Sequence, residues 1–282
     1  MRGMPDNPKP TKTALIWLSD THSNSTIGLC HPSVTLDDGN EYKLNRAQRQ
    51  LWEAYLDFLA WAKDLTAGYR RVGVLGGDMV EGDAKGRSTQ LMSRNQADVL
   101  KIAQKTLEPA LDLFDLTIAI RGTEAHVGAS GNLEEILAND ITNIHKENGV
   151  SSHYHVRKVF SGVRTDLAHH TGMGGKPWTE KNAANALAAL VRYEYTTMNQ
   201  PEPHYVVRGH THRWADSGEN FAPLTAIIAP SWCLKTSYVY RIGGENKLST
   251  IGGLVILCEN GVGRHVRKIY EFEKARKVWA TL

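Results

Sequence analysis

Residues 205–213, Tyr-Val-Val-Arg-Gly-His-Thr-His-Arg, join a short apolar run to a turn that carries His210 and His212. Neutral imidazole nitrogens bind first-row transition metals, so two histidines two residues apart form a ready pair of ligands. The pair alone is weak evidence, because the chain has 12 histidines among 282 residues and such pairs arise by chance. His153 and His155 form another pair, which we interpret as strand residues. The turn becomes evidence for a metal site only together with the polar residues that follow other predicted strands.

Composition is that of an ordinary globular protein, with 41% hydrophobic and 22% charged residues. A net charge of +3 is too small to imply nucleic-acid binding by itself. Cys30, Cys233 and Cys258 are widely spaced and form no CxxC motif, which argues against a disulfide framework. The sequence has no apolar run of transmembrane length, and its first residues are polar and proline-rich. We therefore expect a cytoplasmic protein without a membrane partner, of undetermined oligomeric state.

Short apolar runs alternate with amphipathic stretches along most of the chain. Strands are predicted at 14–18, 71–75, 116–120, 153–160, 163–168 and 205–207. Helices are predicted at 44–65, 89–113, 133–147 and 180–198. Further strands are predicted at 222–229, 237–240, 251–258 and 266–272. This order predicts an α/β fold, with a flexible arm over 1–13 and a single domain over 14–282 whose C-terminal part is β-rich.

Polar side chains that can bind metals follow the first two predicted strands. Asp20 and His22 come directly after the first, and Asp78 follows the second behind Gly76 and Gly77. Because α/β sheets bind ligands at the carboxyl ends of their strands, these side chains are expected to meet in one crevice. The Asp78 carboxylate can bridge two cations through its two oxygens. An isolated Asp-x-His is also consistent with a helix cap beside a surface histidine.

The stretch after the second strand is basic and carries Lys85, Arg87 and Arg94. A solvated loop and a contact with a phosphate backbone both agree with this charge pattern. We predict Arg87 as a substrate-binding residue.

Five polar blocks follow one another in a fixed order along the chain. They are Asp20–His22 (DTH), Gly77–Gly82 (GDMVEG), Gly122–Glu124 (GTE), His169–His170 and Gly209–His212 (GHTH). The order resembles the calcineurin-like metallophosphoesterase superfamily, whose blocks run DxH, GDxxxxG, GNH(D/E), a strand-end histidine and GHxH. The resemblance covers about residues 14–230, and four of the five blocks match well. It implies a metallophosphoesterase-type four-layer α-β-β-α sandwich.

The resemblance also implies a centre for two divalent metal ions. The implied ligands are Asp20, His22 and His212 for one ion, His210 and a strand-end histidine for the other, and Asp78 between them. As the strand-end ligand we favour His169, the first residue after the apolar strand, and we assign His170 a supporting or substrate-binding contact. Histidine and aspartate ligands without a thiolate favour manganese, with iron and zinc as alternatives.

The third block departs from the family pattern. Thr123 stands where the family has a ligating Asn, and Glu124 and His126 follow it. A carboxylate suits manganese or iron better than a neutral hydroxyl does, so we predict Glu124 as the ligand or as a group that orients a metal-bound water. The alternative is that Glu124 is a surface acid. His126 is predicted as the catalytic imidazole that contacts the phosphate or protonates the leaving oxygen.

By this resemblance the protein is a metal-dependent phosphoesterase that hydrolyses a phosphodiester through a hydroxide activated by two metals, with nucleic acid as one candidate substrate. Two alternatives stay open. One is a phosphomonoesterase or nucleotide hydrolase that acts on a small substrate. The other is a metal-binding scaffold without catalysis, for which the altered third block is the support.

Overall fold

A computed structural model describes residues 12–86, 88–171, 179, 182–241 and 248–272. Its strands are β1 (Lys12–Leu18), β2 (Val34–Thr35), β3 (Glu41–Tyr42), β4 (Arg70–Leu75), β5 (Leu116–Ile120), β6 (Ser152–His153), β7 (His155–Phe160), β8 (Val163–Ala168), β9 (Tyr205–Arg208), β10 (Ala215–Asp216), β11 (Thr225–Ile228), β12 (Ile251–Glu259) and β13 (Val262–Tyr270). Its α-helices are α1 (Arg46–Leu65), α2 (Gln96–Leu111), α3 (Glu124–Val127), α4 (Asn132–Asn139), α5 (Asn182–Thr197) and α6 (Ser237–Arg241).

A six-stranded sheet, in the order β13-β12-β1-β4-β5-β6, forms one half of the fold. Strands β1, β4, β5 and β6 are parallel, whereas β12 and β13 run antiparallel to their neighbours. The parallel strands bring their carboxyl ends to one edge of the sheet, where the polar blocks begin.

Strand β1 shows how this sheet is covered on both faces. Ala14, Ile16 and Leu18 contact the core under the helices, and the alternate residues Leu15 and Trp17 face the other sheet. A strand buried on both sides reads as a continuous apolar run, which is why the sequence predicts it readily.

The second sheet has the order β10-β11-β9-β8-β7 and packs against the first through a shared core. Val156, Val163 and Val207 project from it into that core. On its outer face Val206 and Ala226 belong to the cluster that also contains residues of α5. Helices α1, α2 and α4 contribute to the core on the outer face of the first sheet. The structure thus confirms the α-β-β-α order of layers.

Helix α1 forms as its sequence predicts. Asn45 caps its first turn, and the Gln48 side chain completes a reciprocal capping box. The apolar residues that recur at spacings of three and four are all buried, namely Leu51, Tyr55, Phe58, Leu59 and Ala62. This face attaches the helix to the first sheet.

The prediction of a strand at 237–240 is wrong, because the segment is the short helix α6. Thr236 accepts hydrogen bonds at its carbonyl from Val239 and Tyr240, and at its hydroxyl from Val239. This local cap outweighs the strand preference of the aromatic and β-branched residues. Strand β1 also begins at Lys12 rather than at residue 14, because Lys12 and Thr13 pair with β12. Among the described residues, no helix has the length and apolarity needed to cross a membrane.

Candidate metal centre

The polar blocks that follow the strands are held together by backbone hydrogen bonds. The Asp20 amide donates to the Gly77 carbonyl at 2.9 Å, and the His22 amide donates to the Asp78 carbonyl at 2.9 Å. The Gly209 amide donates to the His169 carbonyl at 3.0 Å, which links the ends of β8 and β9, neighbouring strands of the other sheet. The His210 amide donates to Asp20 Oδ1 at 3.1 Å, so the blocks of both sheets line one crevice.

Gly77 and Gly122 allow the loops to approach one another closely. A Cβ atom at Gly77 would clash with the His169 ring, and the φ angle of 93° at this residue also favours glycine. A Cβ atom at Gly122 would clash with the Asp78 carboxylate. Only the absence of side chains at these two positions brings Asp78 this close to its neighbours.

Five of the candidate ligands have left-handed backbone conformations. The φ angles are 55° at Asp20, 42° at His22, 53° at Asp78, 72° at His210 and 57° at His212. Positive φ is uncommon outside glycine, although Asp and His tolerate it better than most residues. Such conformations cost on the order of 1–3 kcal/mol each and cluster at functional sites, where the surrounding structure enforces them.

Asp20, His22 and His212 form the first ligand set, with atoms that can bind a metal within 4.8 Å of one another. The Nε2 atoms of His22 and His212 lie 3.1 Å apart, and His212 Nε2 lies 3.2 Å from Asp20 Oδ1. Asp20 is fully buried, and its carboxylate also accepts the His210 amide. Two imidazole nitrogens and a carboxylate oxygen therefore converge on one point.

The second ligand set contains His169, His170 and His210, again within 4.8 Å. His169 is buried, and its Nδ1 donates to the Gly76 carbonyl at 2.8 Å, so its Nε2 is the atom that faces the crevice. His170 is exposed at the rim, with its ring centroid 5.0 Å from that of His210. The structure brings both strand-end histidines to the site, with His169 inside and His170 outside.

Asp78 lies between the two sets. Its Oδ2 is 3.1 Å from His169 Nε2 and 4.0 Å from His22 Nε2, and the whole residue is 1% exposed. Its Oδ1 accepts the Thr123 amide at 2.6 Å. One carboxylate thus faces histidines of both sets, as a bridging ligand must.

The third block is arranged differently from the sequence prediction. The Thr123 hydroxyl reaches into the second set, 3.1 Å from His210 Nδ1 and 3.3 Å from His170 Nε2. Glu124 is exposed, and its carboxylate accepts the Ser130 amide at 3.3 Å. The structure does not bring Glu124 to the other candidates, because the residue begins α3 and its side chain turns away from the crevice. Its predicted role as a ligand is not supported by this position.

Glu81 is a site residue that the sequence analysis missed. Its carboxylate lies 2.8 Å from His22 Nδ1 and 2.9 Å from His126 Nδ1. It therefore orients the predicted catalytic imidazole and a ligand of the first set at the same time. The available signal was its position three residues after Asp78, inside the GDMVEG block. Arg87, the predicted substrate contact, lies outside the described residues.

Electrostatics in the crevice are dominated by buried carboxylates. Burial raises the pKa of Asp20, but His212 and His169 outweigh this effect and lower it to about 2. Burial lowers the pKa of His169, but the carboxylates of Asp78 and Asp20 raise it to about 10. At His210 the charges of Asp78 and Asp20 do not offset burial and the charge of His169, which lower its pKa to about 4.

His126 is drawn toward its charged form by the same carboxylates. Burial lowers its pKa, but the hydrogen bond to Glu81 and the charge of Asp78 raise it to about 9. Burial likewise opposes ionisation of Glu81, yet its bonds to His126 and His22 lower its pKa to about 2. Without a cation, the crevice therefore favours ionised carboxylates and binds protons on His169 and His126.

The donor set fits divalent cations of the first transition row. Imidazole nitrogens and carboxylate oxygens are the ligands that manganese, iron and zinc accept, and they converge here in groups of at least three. A cation held by His22, His212 and Asp20 would compensate the charge of the buried Asp20 carboxylate.

The chain is similar to known proteins in its structure and not in its sequence. No family model matches the sequence, and no protein of curated function matches it. A Vps29 point mutant from Entamoeba histolytica aligns over 92% of this chain and 100% of its own, with 9% identity and a TM-score of 0.41. Wild-type Vps29 of the same organism, in complex with zinc, covers 91% of this chain and 99% of its own, with 9% identity and a TM-score of 0.40.

A 5′-nucleotidase from Candida albicans SC5314 covers 91% of this chain and 50% of its own, with 10% identity and a TM-score of 0.44. Because all three TM-scores lie below 0.5, these likenesses carry no argument about the activity of this chain.

Proposed function

We propose that the protein is a calcineurin-like metallophosphoesterase that hydrolyses a phosphodiester with two divalent cations, preferably manganese. The observation that carries this proposal is the position of Asp78, whose buried carboxylate lies between two sets of converging ligands. A buried carboxylate without a compensating charge is costly, so a site that groups several of them with imidazoles is suited to cations.

Each ligand has a place in this proposal. Asp20, His22 and His212 would hold one ion, His169 and His210 would hold the other, and Asp78 would contact both. When bound, divalent cations lower the pKa of water and neutralise the charge that develops on phosphoryl oxygens. His170 and the Thr123 hydroxyl lie at the rim of the second set, where they can contact a phosphoryl oxygen.

His126 is proposed to supply the proton. Its Nδ1 is bonded to Glu81, which leaves Nε2 to donate to a leaving oxygen. The raised pKa of about 9 keeps this imidazole protonated near neutral pH in the metal-free protein. Glu81 holds the ring in place and stabilises its charged form, as a buried carboxylate does for a catalytic histidine.

The test is hydrolysis of bis-p-nitrophenyl phosphate beside p-nitrophenyl phosphate, after chelation and again with Mn²⁺ added back. Restoration of diester hydrolysis by Mn²⁺ supports the proposal and moves the search to nucleic-acid substrates. Hydrolysis of the monoester alone favours a small phosphomonoester or nucleotide as the substrate class. Activity that survives exhaustive chelation contradicts the two-metal proposal.

Thr123 favours one second candidate, a protein that binds metal without hydrolysis. A neutral hydroxyl is a weak ligand at the place where the family uses an amide oxygen, so the second ion would be held by fewer strong donors. This candidate predicts Mn²⁺ binding in calorimetry together with no turnover of either ester. The Thr123→Asn variant distinguishes the two, because under the enzyme proposal it should tighten the second ion and retain turnover.

A further inference from the structure

A buried acid lies beneath the metal centre, and its hydrogen bonds go to backbone amides rather than to candidate ligand side chains. Glu134, the third residue of α4, is 2% exposed. Its Oε1 accepts the Met79 amide at 2.9 Å, and its Oε2 accepts the Gly122 amide at 2.6 Å. One carboxylate therefore fastens the loop after β4 to the loop after β5.

Both amides belong to residues that set the position of the site. Met79 follows Asp78, whose left-handed backbone directs the next amide inward toward α4. Gly122 precedes Thr123, whose own amide donates to Asp78 Oδ1 at 2.6 Å. The two loops are thus linked twice, once by Asp78 within the crevice and once by Glu134 below it.

The surroundings of Glu134 show what its loss would do. A small cavity already lies beside its side chain, lined by Leu75, Met79 and Leu137 among others. Burial, reinforced by the charge of Asp78, raises the pKa of Glu134 to about 7 despite the two amide bonds. Without the carboxylate, two buried amides would lack acceptors, and each unsatisfied group costs about 1–3 kcal/mol. The loops would be expected to shift to satisfy them.

We propose that Glu134 is a positioning residue that fixes the distance between the Asp78 loop and the Thr123 loop and thereby the affinity of the crevice for cations. The inference rests on the proposed function, because it concerns the same metal centre. Outer groups that orient metal ligands typically contribute about 10–100-fold to metal affinity. Glu134 does not contact the ligand side chains in this way; it acts on them through the backbone of the two loops that carry them.

The experiment is titration calorimetry with Mn²⁺ on the chelated full chain and on Glu134→Gln. Glutamine keeps the volume but offers one oxygen, so one of the two amides faces an NH₂ group. We expect about 10–100-fold weaker Mn²⁺ binding, with circular dichroism and the melting profile still those of a folded protein. Glu134→Asp, which retains the charge but is one methylene shorter, should also weaken binding and provides a second variant if glutamine prevents folding.

Glu135→Gln is the matched control. Glu135 lies on the same helix and also accepts two backbone amides, those of Ser151 and Ser152, but these belong to the segment around β6, away from the crevice. Its substitution should affect stability and leave Mn²⁺ affinity unchanged. A Glu134 variant that is folded and binds Mn²⁺ within about threefold of the wild type overturns the inference, and so does an equal loss in Glu135→Gln.

The wild-type titration separates this inference from the proposed function. Wild-type protein that binds no Mn²⁺ overturns both. Wild-type protein that binds Mn²⁺ but hydrolyses neither ester removes the catalytic proposal alone, and the comparison of Glu134→Gln with Glu135→Gln still decides the role of Glu134.

Discussion

Asp166 and Asp78 are both 1% exposed, yet their carboxylates have different partners. Asp166 lies on β8 and is matched by cationic side chains of the protein itself. Arg208 Nη2 lies 2.6 Å from Oδ1, and Arg157 Nε lies 3.2 Å from Oδ2. His155 and the Tyr195 hydroxyl complete its hydrogen bonds at 2.7 Å and 3.0 Å. Its charge is therefore compensated within the chain.

Asp78 and its neighbour Asp20 lack such compensation. Among the described residues, the groups that lower their pKa values are histidines, whose charge depends on binding a proton. A carboxylate that is neutralised by a permanently charged guanidinium has a structural role. Carboxylates whose partners are imidazoles are compensated only when the imidazoles are protonated, and they can instead bind a metal cation. Burial of an acid therefore does not indicate a site, but the identity of its partners does.

The largest effect is expected for Asp78→Asn. The amide cannot supply two anionic oxygens, so the second ion should be lost and turnover should fall by roughly 10³-fold or more, since several kcal/mol of transition-state stabilisation disappear. Metal content and diester hydrolysis measure this directly. Wild-type turnover in this variant would contradict a dinuclear centre.

The same change at Asp166 should affect a different property. Asp166→Asn removes the anionic partner of the buried Arg208, whereas Arg157 keeps Glu194 at 3.0 Å. Removing one member of a buried ion pair costs about 3–5 kcal/mol of stability. Urea unfolding measures the loss, and Mn²⁺ stoichiometry of the folded variant should be that of the wild type. A reduced stoichiometry would show that Asp166 serves the metal centre after all.

Acid should remove the contribution of Asp166 in a defined direction. Burial opposes ionisation, but the hydrogen bond from His155 and the charge of Arg208 hold the pKa of Asp166 well below its usual value. A depressed folded-state pKa stabilises the protein above the unfolded pKa of about 3.9, and this stabilisation is lost as the pH falls through the folded pKa. The stability difference between wild type and Asp166→Asn should be constant from pH 7 to 5 and should shrink below pH 4.

Glu81→Gln should weaken the site through the two histidines that this carboxylate contacts. Glutamine can accept from only one of the two imidazoles that Glu81 holds, so one of His22 and His126 should lose its orientation. We expect about 10–100-fold weaker binding of the first ion. Calorimetry with Mn²⁺ measures the effect, and Glu147→Gln, at an exposed acid paired with Lys158, is the control that should leave affinity unchanged. Equal affinities in both variants would remove Glu81 from the site.

The smallest effect is expected for Glu124→Ala. The side chain is exposed, and substitutions at such positions usually change stability by less than about 0.5 kcal/mol. Metal stoichiometry should be unchanged. Loss of one ion in this variant would show that the sequence interpretation of Glu124 was right and that Thr123 does not take its place.

The layers and most of the strands could be predicted from sequence because apolar runs bounded by turns leave few alternatives. Strands Leu116–Ile120 and Val163–Ala168 match their predicted bounds. The helix at Ser237–Arg241 was missed because a local cap, rather than side-chain preference, decides its conformation. Here the sequence offers two opposing local signals and no means to weigh them.

The site residues likewise fall into those that the sequence predicts and those that it does not. Residues at strand ends could be placed by the topology of parallel sheets, which brings Asp20, Asp78 and His169 together. The direction of a side chain within a loop could not be predicted. The adjacent residues Thr123 and Glu124 differ in this respect, because Thr123 reaches into the crevice and Glu124 is exposed to solvent. Glu81 and Glu134 act through contacts that no spacing rule specifies, and only the folded chain reveals them.

The candidate ligands are drawn from loops of both sheets, with Asp20 and Asp78 on one side and His169, His210 and His212 on the other. A cation in this crevice would bind the folded chain and have little affinity for the unfolded one. By mass action, free metal at 100 times its dissociation constant would add about 2.7 kcal/mol to the stability of the fold. Metal supply would then set the lifetime of the folded protein as well as its activity, and chelation would lower the melting temperature of the whole sandwich.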